Sequence, residues 1–166
     1  MAGRPVLLAI LGVALLDPAS FARDLRHPVS GDPAFTITVP DDWTAVAVDG
    51  GKSLSIASAN RRIGFALTVD TTDKSASEIA KSALTSTKAT LVETRPASIS
   101  GFSGSTYSWT YANAGGVTLR IAMTMIQLEG KWLVSCTKLE VDGNPPAEQQ
   151  LADTVMQSVK LTKGSK

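Results

Sequence analysis

The chain has 166 residues, of which 43% are hydrophobic and 19% charged, an ordinary composition for one globular domain. Sixteen lysines and arginines against fifteen aspartates and glutamates leave a formal net charge of +1. That charge is too small for the concentrated positive field that binds a phosphate backbone, so we expect no nucleic-acid partner. A domain of this length also buries enough surface to fold without a metal ion or a disulfide.

The N-terminus has the three-part pattern of a secretory signal peptide. Arg4 supplies a positive charge, residues 6–16 are apolar apart from one glycine, and Ser20 and Ala22 are small residues at the spacing of a cleavage site. We predict that residues 1–22 are a signal peptide and that the protein is periplasmic or secreted. The apolar run is shorter than the roughly 20 residues that a spanning helix needs, so no stable membrane span is expected after cleavage. The alternative, a buried N-terminal helix, would show a polar face, and this run has none.

The first part of the mature chain reads as a lead-in followed by strands. Residues 23–34 contain two prolines, a glycine and the single histidine, with no apolar period, which predicts a flexible, exposed segment. Apolar and polar residues then alternate, which predicts half-buried strands. These strands are expected at 35–39, 44–48, 52–58 and 63–69. The second and third should form a hairpin, because Asp49-Gly50-Gly51 between them is a turn signal.

The period changes after residue 74. Ser75 and Glu78 have the spacing of a capping box, and small or apolar residues recur at intervals of three and four, which predicts a helix over 76–87. Alternation returns afterwards and predicts a strand meander over 90–94, 97–100, 103–111, 117–128 and 131–139. Asn144 is expected to cap a closing helix that starts at Pro145-Pro146.

These elements describe a single α+β domain over residues 35–161, in which an antiparallel sheet meander is covered by helices, with a polar tail at 162–166. The segment 35–43, a strand followed by Pro40-x-x-Trp43, resembles the opening of the PsbP-like superfamily, and the order of elements is similar as well. The resemblance implies an α/β/α sandwich and an accessory or adaptor role. Metal-binding histidines belong to the photosynthetic branch, and this sequence has no histidine beyond His27, so no metal residue is carried over.

Three aromatic residues form the most promising candidate site. Tyr107, Trp109 and Tyr111 share one face of a predicted strand, because side chains alternate along a strand. If that face is exposed, they form a platform for a partner; if it faces inward, they are part of the core. Trp43 is expected to anchor its turn by packing.

The usual signatures of catalysis are absent from the sequence. His27 is the one candidate base for nucleophilic catalysis, and it falls in the lead-in. Asp41 and Asp42 could act in a carboxylate hydrolase, although Asp at such a position is usually a turn former. Cys136 has no second cysteine to pair with, and its period predicts a buried, inert thiol. We therefore expect no enzyme, no cofactor and no metal site.

The sequence leaves two functional hypotheses. The first is an exported accessory or protein-interaction module whose partner is another envelope protein. The second is an extracytoplasmic binding domain for an apolar small molecule or lipid, sheltered between the sheet and helix 76–87.

Overall fold

The computed structural model describes residues 22–162 of the chain. In chain order the elements are β1 Ala22–His27, β2 Ala34–Pro40, β3 Thr44–Val48, β4 Ser53–Ala57, β5 Ile63–Thr71, α1 Ala76–Thr87, β6 Thr90–Ile99, β7 Phe102–Ala112, β8 Thr118–Gln127, β9 Trp132–Val141, α2 Pro146–Gln157 and β10 Lys160–Thr162. All of the predicted signal peptide except Ala22 lies outside the described residues, and so do residues 163–166. The architecture is mostly antiparallel sheet with two helices, as the α+β prediction requires.

Seven strands form one antiparallel sheet in the order β3-β4-β5-β9-β8-β7-β6. Strands β6 to β9 are neighbours in sequence and in space, which confirms the predicted meander. The predicted hairpin of β3 and β4 is also confirmed. Its turn includes Gly50 and Gly51, whose φ angles of 65° and 87° suit glycine because it lacks a Cβ atom.

Strand β9 lies in the interior of this sheet and contributes to the core on both of its faces. Val134 and Cys136 belong to the main apolar cluster, together with Val155 of α2. Leu133 points to the opposite face and packs with Ala80 of α1. The two faces are called the α2 face and the α1 face below.

A second sheet of three antiparallel strands, β1-β2-β10, packs on the α2 face. Phe35 and Ile37 of β2 are fully buried in the same cluster as Phe65 of β5. Trp43 stacks on Phe65 with ring centroids 6.2 Å apart, so the expected packing anchor is confirmed. The layer on this face therefore contains a small sheet as well as a helix, which the sandwich implied by the sequence resemblance does not include.

The prediction of a flexible lead-in over residues 23–34 is wrong for its first half, although Arg23, Asp24 and Arg26 are exposed as expected. Residues 22–27 form β1, which pairs with β2 from Ala22 opposite Pro40 to His27 opposite Phe35. Thr38 donates a hydrogen bond from Oγ1 to Asp24 Oδ1 at 2.6 Å. A strand this polar shows little apolar period, and its partner strand supplies the order that its own sequence does not indicate.

Three further boundaries differ from the predictions. Thr162, assigned to the polar tail, belongs to β10, which pairs with β2. Asn144 does not cap α2; the N-cap is Pro145, and buried Asn144 accepts a 2.7 Å hydrogen bond from Arg62 Nε. The strands expected at 90–94 and 97–100 are one continuous strand, β6. It contains Pro96 and a bulge, and both are tolerated because β6 lies at the edge of the sheet.

Helix α1 begins as its sequence predicts. Ser75 Oγ accepts a hydrogen bond from Glu78 N, and Glu78 Oε2 accepts one from Ser75 N at 2.7 Å. The hydrogen bond from Ser75 N, together with a second one from Ser75 Oγ to Glu78 Oε2 at 2.7 Å, holds the pKa of the Glu78 carboxyl below its ordinary value. The reciprocal pair satisfies two backbone donors that the first turn of a helix otherwise leaves open.

The close approach of β7 and β8 predicts that Gly104→Ala destabilises the protein. A Cβ atom at Gly104 would lie 2.1 Å from Met125 O and 2.8 Å from Ile126 Cγ1, so backbone would have to move. We expect the free energy of unfolding to fall by about 1–3 kcal/mol, measured by urea denaturation. Gly115→Ala is the control, because a Cβ there meets only the Asn113 side chain at 3.3 Å. Equal stability of the two variants would contradict the prediction.

Candidate functional site

The three aromatic residues predicted from the sequence lie on the α1 face of β7. Trp109 is 4% exposed, opposite Ile121 of β8. Tyr107 packs against the cluster that contains Ala80 of α1, and Tyr111 is half-buried beside the C-terminal end of that helix. The burial of Trp109 corresponds to the core alternative, so an exposed platform does not describe this residue.

The other sequence candidates are not brought together. Asp41 and Asp42 are exposed in the turn between β2 and β3. His27 is 4% exposed, and its Nε2 lies 2.9 Å from Lys52 O, so it is a buried structural residue and not the solvated side chain that was expected. Burial raises the pKa of the Cys136 thiol to about 12, which keeps the thiol protonated and unreactive.

A groove that the sequence did not predict lies on the α2 face, over β6 to β9. It consists of two adjoining concavities of about 240 and 350 Å³, which share Arg95, Ala122 and Lys138. Strand β6 forms one wall, Asp153 and Met156 of α2 line the opposite side, and the floor is made of small residues such as Ser108, Thr106 and Thr124. We call this surface the β6–β9 groove.

The floor is polar because the side chains of this part of the α2 face are small or charged. Cross-strand pairs place Arg120 opposite Glu140, Ala122 opposite Lys138 and Thr124 opposite Cys136. Thr124 and Thr106 share a 2.7 Å hydrogen bond between their hydroxyl groups. Short polar side chains leave the sheet surface low, so the groove has depth without any loop to form it.

A carboxylate at one end of the groove is almost fully buried. Glu140 is 7% exposed, and its Oε2 lies 3.4 Å from Lys138 Nζ and 3.9 Å from Arg120 Nη2. Lys138 is also 2.7 Å from Asp153 Oδ1, so it links the sheet to α2. The second oxygen, Glu140 Oε1, is buried and accepts no hydrogen bond within the described residues. Lys138 and Arg120 thus approach one oxygen of the Glu140 carboxylate, and the other oxygen is left without a hydrogen-bond donor.

Two arginines in the groove have donors without acceptors. Arg120 forms ion pairs with Asp142 at 3.6 Å, through Nε, and with Glu140 at 3.9 Å, both too long for hydrogen bonds, so its buried Nε has no hydrogen-bond partner among residues 22–162. Arg95 extends from exposed β6, and the described part of the chain shows no hydrogen bond or ion pair to its side chain. A guanidinium group carries five donors, so the groove presents unused hydrogen-bonding capacity that is mainly cationic.

A signal for this site was present in the sequence. Arg120 lies on the polar face of the strand predicted at 117–128. Lys138 lies near the end of the strand predicted at 131–139, and Glu140 follows directly after that strand. Each charge alone is what a half-exposed antiparallel strand carries on its solvent side. Only the register, which pairs β8 with β9, places them in one cluster, where Lys138 also contacts Asp153 of α2.

No protein-family model matches the chain, and no curated protein matches it in sequence. Solved structures do match in three dimensions. The cyanobacterial PsbP (CyanoP) of Synechocystis sp. PCC 6803 is 14% identical, with a TM-score of 0.62 over 92% of this chain and 99% of that one. LpqN of Mycobacterium tuberculosis, described as involved in cell envelope biogenesis, is 14% identical, with a TM-score of 0.57 over 85% and 91%. The Ran-binding protein Mog1p of Saccharomyces cerevisiae is 13% identical, with a TM-score of 0.50 over 86% and 97%.

This chain has the PsbP/Mog1-like fold. The resemblance to the PsbP-like superfamily, predicted from residues 35–43, is confirmed at the level of fold. Neither helix within residues 22–162 is long and apolar enough to cross a membrane. Across the same residues, no three His, Cys, Asp or Glu side chains are grouped closely enough to hold a metal ion.

The burial of Trp109 predicts that Trp109→Ala lowers the stability of the protein. Removing a buried indole leaves a cavity, and we expect the free energy of unfolding to fall by about 3–5 kcal/mol. Tyr111→Ala, on the same strand face but half-buried, is the control and should cost less. The measurement is urea denaturation of the three proteins in parallel. If the Trp109→Ala variant were as stable as the parent, the assignment of Trp109 to the core would be wrong.

Proposed function

We propose that the protein is a non-catalytic binding module that acts outside the cytoplasm and contacts another protein of the cell envelope through the β6–β9 groove. The observation that carries this proposal is the groove itself, in which the buried atoms Arg120 Nε and Glu140 Oε1 have no hydrogen-bond partner within the described residues. Native structures rarely leave buried polar groups unsatisfied, so an incomplete network on an open surface is a natural site for a partner to complete.

The fold neighbours agree with this role without identifying the partner. CyanoP, LpqN and Mog1p share the fold, and the described functions of the last two are envelope biogenesis and Ran binding. Because one fold serves many functions, the role proposed here stands on the groove and is consistent with these neighbours.

The lipid-carrier hypothesis has no comparable observation in its favour. It requires space between the sheet and α1. Ala80 of α1 is 1% exposed and packs with Met125 and Leu133, so side chains fill the interface at that point. The hydrolase hypothesis for Asp41 and Asp42 likewise gains nothing from their exposed positions in a turn.

Site-specific photocrosslinking in the source organism tests the groove as the contact surface. A benzoylphenylalanine in place of Val92, which lines the groove and is 69% exposed, should give a protein adduct of defined mass after irradiation. The adduct forms because the probe reacts with groups within contact distance of the groove wall. Immunoblotting detects it, and mass spectrometry identifies the partner.

Val46 provides the matched control, because it is a strand valine, 59% exposed, on β3 at the far edge of the same sheet. We expect no adduct of that mass from the Val46 position. Absence of an adduct at Val92 at native expression, or the same adduct from both positions, would count against the groove as the binding surface.

Export is the second element of the proposal and has its own test. Cleavage after Ala22 leaves Arg23, whose Nη2 donates a 2.6 Å hydrogen bond to Trp43 O, so β1 keeps its attachment to the turn after β2. We expect protein recovered from the periplasm or the medium to begin at Arg23 on N-terminal sequencing. Ala22→Arg should block processing, because the cleavage site requires a small residue there. An intact Met1 on the exported protein would overturn the predicted cleavage.

A further inference from the structure

Strand β6 forms one edge of the seven-stranded sheet and is exposed along most of its length. Within residues 22–162 it pairs with β7 alone. Residues 90–96 are all exposed, although their side chains are distributed over both faces of the sheet. Leu91 and Val92 are among them, with 41% and 69% of their surface exposed. A long edge strand of this kind is a surface to which another strand can add.

Two charged side chains of β6 have no partner in the described part of the chain. Glu93 lies opposite Ser108 of β7, and Arg95 lies opposite Thr106, so both side chains are on the α2 face. Neither forms a hydrogen bond or an ion pair within residues 22–162. The strand therefore presents an acid and a base, two positions apart and on the same face, at an open edge.

The hairpin between β6 and β7 determines which backbone groups of β6 face outwards. Ile99 and Phe102 flank a two-residue turn with positive φ at both positions, so the turn hydrogen bond joins these two residues. Hydrogen-bonded and non-hydrogen-bonded pairs alternate along an antiparallel ladder. The backbone groups of Thr94, Pro96 and Ser98 consequently face away from β7. Proline has no N–H, so the free edge offers donors at Thr94 and Ser98 only.

The charges favour one of the ways in which two copies of β6 can pair. When the two-fold axis passes beside Thr94, Glu93 of each copy lies opposite Arg95 of the other. An axis at Arg95 would place two arginines opposite each other, and an axis at Pro96 would leave both charges without partners. Opposite charges directly across a ladder are stabilising, and like charges are destabilising. The axis at Thr94 also lets the two Thr94 residues exchange both backbone hydrogen bonds.

We propose that two copies of the protein associate through strand β6, antiparallel and centred on Thr94, with Glu93 of each copy paired with Arg95 of the other. The same surface patch serves on both subunits, as in most dimers. The axis is perpendicular to the sheet, so the α2 faces of the two copies lie on the same side. The inference goes beyond the binding function proposed above, because it needs no occupant in the groove and places two grooves next to each other.

The bulge at Val92 and the missing N–H of Pro96 limit main-chain pairing to the centre of this interface. Such features restrict indiscriminate pairing of edge strands. In the proposed register Val92 of one copy lies opposite Pro96 of the other, which adds apolar contact. The charge pairs and this contact therefore determine the register and much of the affinity. We expect a reversible dimer that dissociates as salt is raised.

Charge reversal tests the interface by sedimentation velocity of the purified protein over a concentration series. Glu93→Arg and Arg95→Glu each replace two attractive contacts by two repulsive ones, so each should weaken the dimer by about tenfold or more. The double variant Glu93→Arg/Arg95→Glu restores opposite charges in exchanged positions. Its dimer affinity should return to within about threefold of the parent.

Arg61→Glu is the matched control for the reversals, because Arg61 is an exposed arginine in the turn between β4 and β5. It should change the dimer affinity by less than about twofold, since a distant surface charge is screened. Glu93 and Arg95 are themselves exposed, so their variants are expected to fold, and circular dichroism checks this.

A cysteine at the axis tests the register. Thr94→Cys should give a disulfide-linked dimer on mild oxidation, seen on a non-reducing gel, because the two Cα atoms of a hydrogen-bonded pair lie about 5.5 Å apart. Ser98→Cys is the control: Ser98 is exposed on the same edge but lies opposite Thr90 of the other copy in this register. The native Cys136 is buried and does not compete.

A parent protein that stays monomeric across the concentration series, with no crosslink in Thr94→Cys, would overturn the proposal. So would a dimer that the double variant fails to restore, or equal crosslinking of Thr94→Cys and Ser98→Cys. In the photocrosslinking experiment at Val92, an adduct with the mass of two copies would support this dimer. An adduct with a different protein would support the groove proposed above, so the two proposals fail separately.

Discussion

Strand β9 carries the constraint on which the rest of the structure depends. It pairs with β5 on one side and β8 on the other, and so joins two sets of strands that are far apart in sequence. Along its α2 face the side chains change from apolar to charged, from Val134 and Cys136 to Lys138 and Glu140. The apolar half is buried under α2 and the small sheet, and the charged half opens into the groove.

Simple dimensions explain why part of this face stays open. Helix α2 has 12 residues and is about 18 Å long, since an α-helix rises about 1.5 Å per residue. Seven strands spaced about 4.8 Å apart span about 29 Å. The small sheet covers the side of β5, and α2 packs on β2 and β9. Ile99 of β6 and Ile126 of β8 also belong to the main apolar cluster, so the part of β6 to β8 that stays open is the one around Arg95, Ser108 and Arg120. Small and charged side chains line most of this open part, together with exposed Val92 of β6.

The sequence predicts those parts of the fold whose signals are local. The capping box of Ser75 and Glu78 predicts α1, and Asp49-Gly50-Gly51 predicts the first hairpin, because a few adjacent residues determine the backbone in both cases. Strands β1 and β10 were missed because their order comes from β2, and β10 pairs with it across more than a hundred residues of chain. The groove was missed for the same reason: Arg95, Arg120 and Glu140 meet only through strand register. Alternation can show that Trp109 shares a face with its neighbours, but it cannot show which face is covered.

The position of Glu140 is costly in terms of folding alone. Burying a carboxylate is unfavourable unless it is paired and hydrogen-bonded, and even a well-made buried ion pair stabilises a protein little more than apolar packing does. Here the pairing is incomplete, because both cations approach Oε2 and Oε1 has no partner within the described residues. An apolar residue would meet Ile63, its neighbour on β5, at less cost. The charge does have one consequence that an apolar residue could not provide: it holds Lys138 and Arg120 at the end of the groove, and so fixes the electrostatic character of this open part of the α2 face.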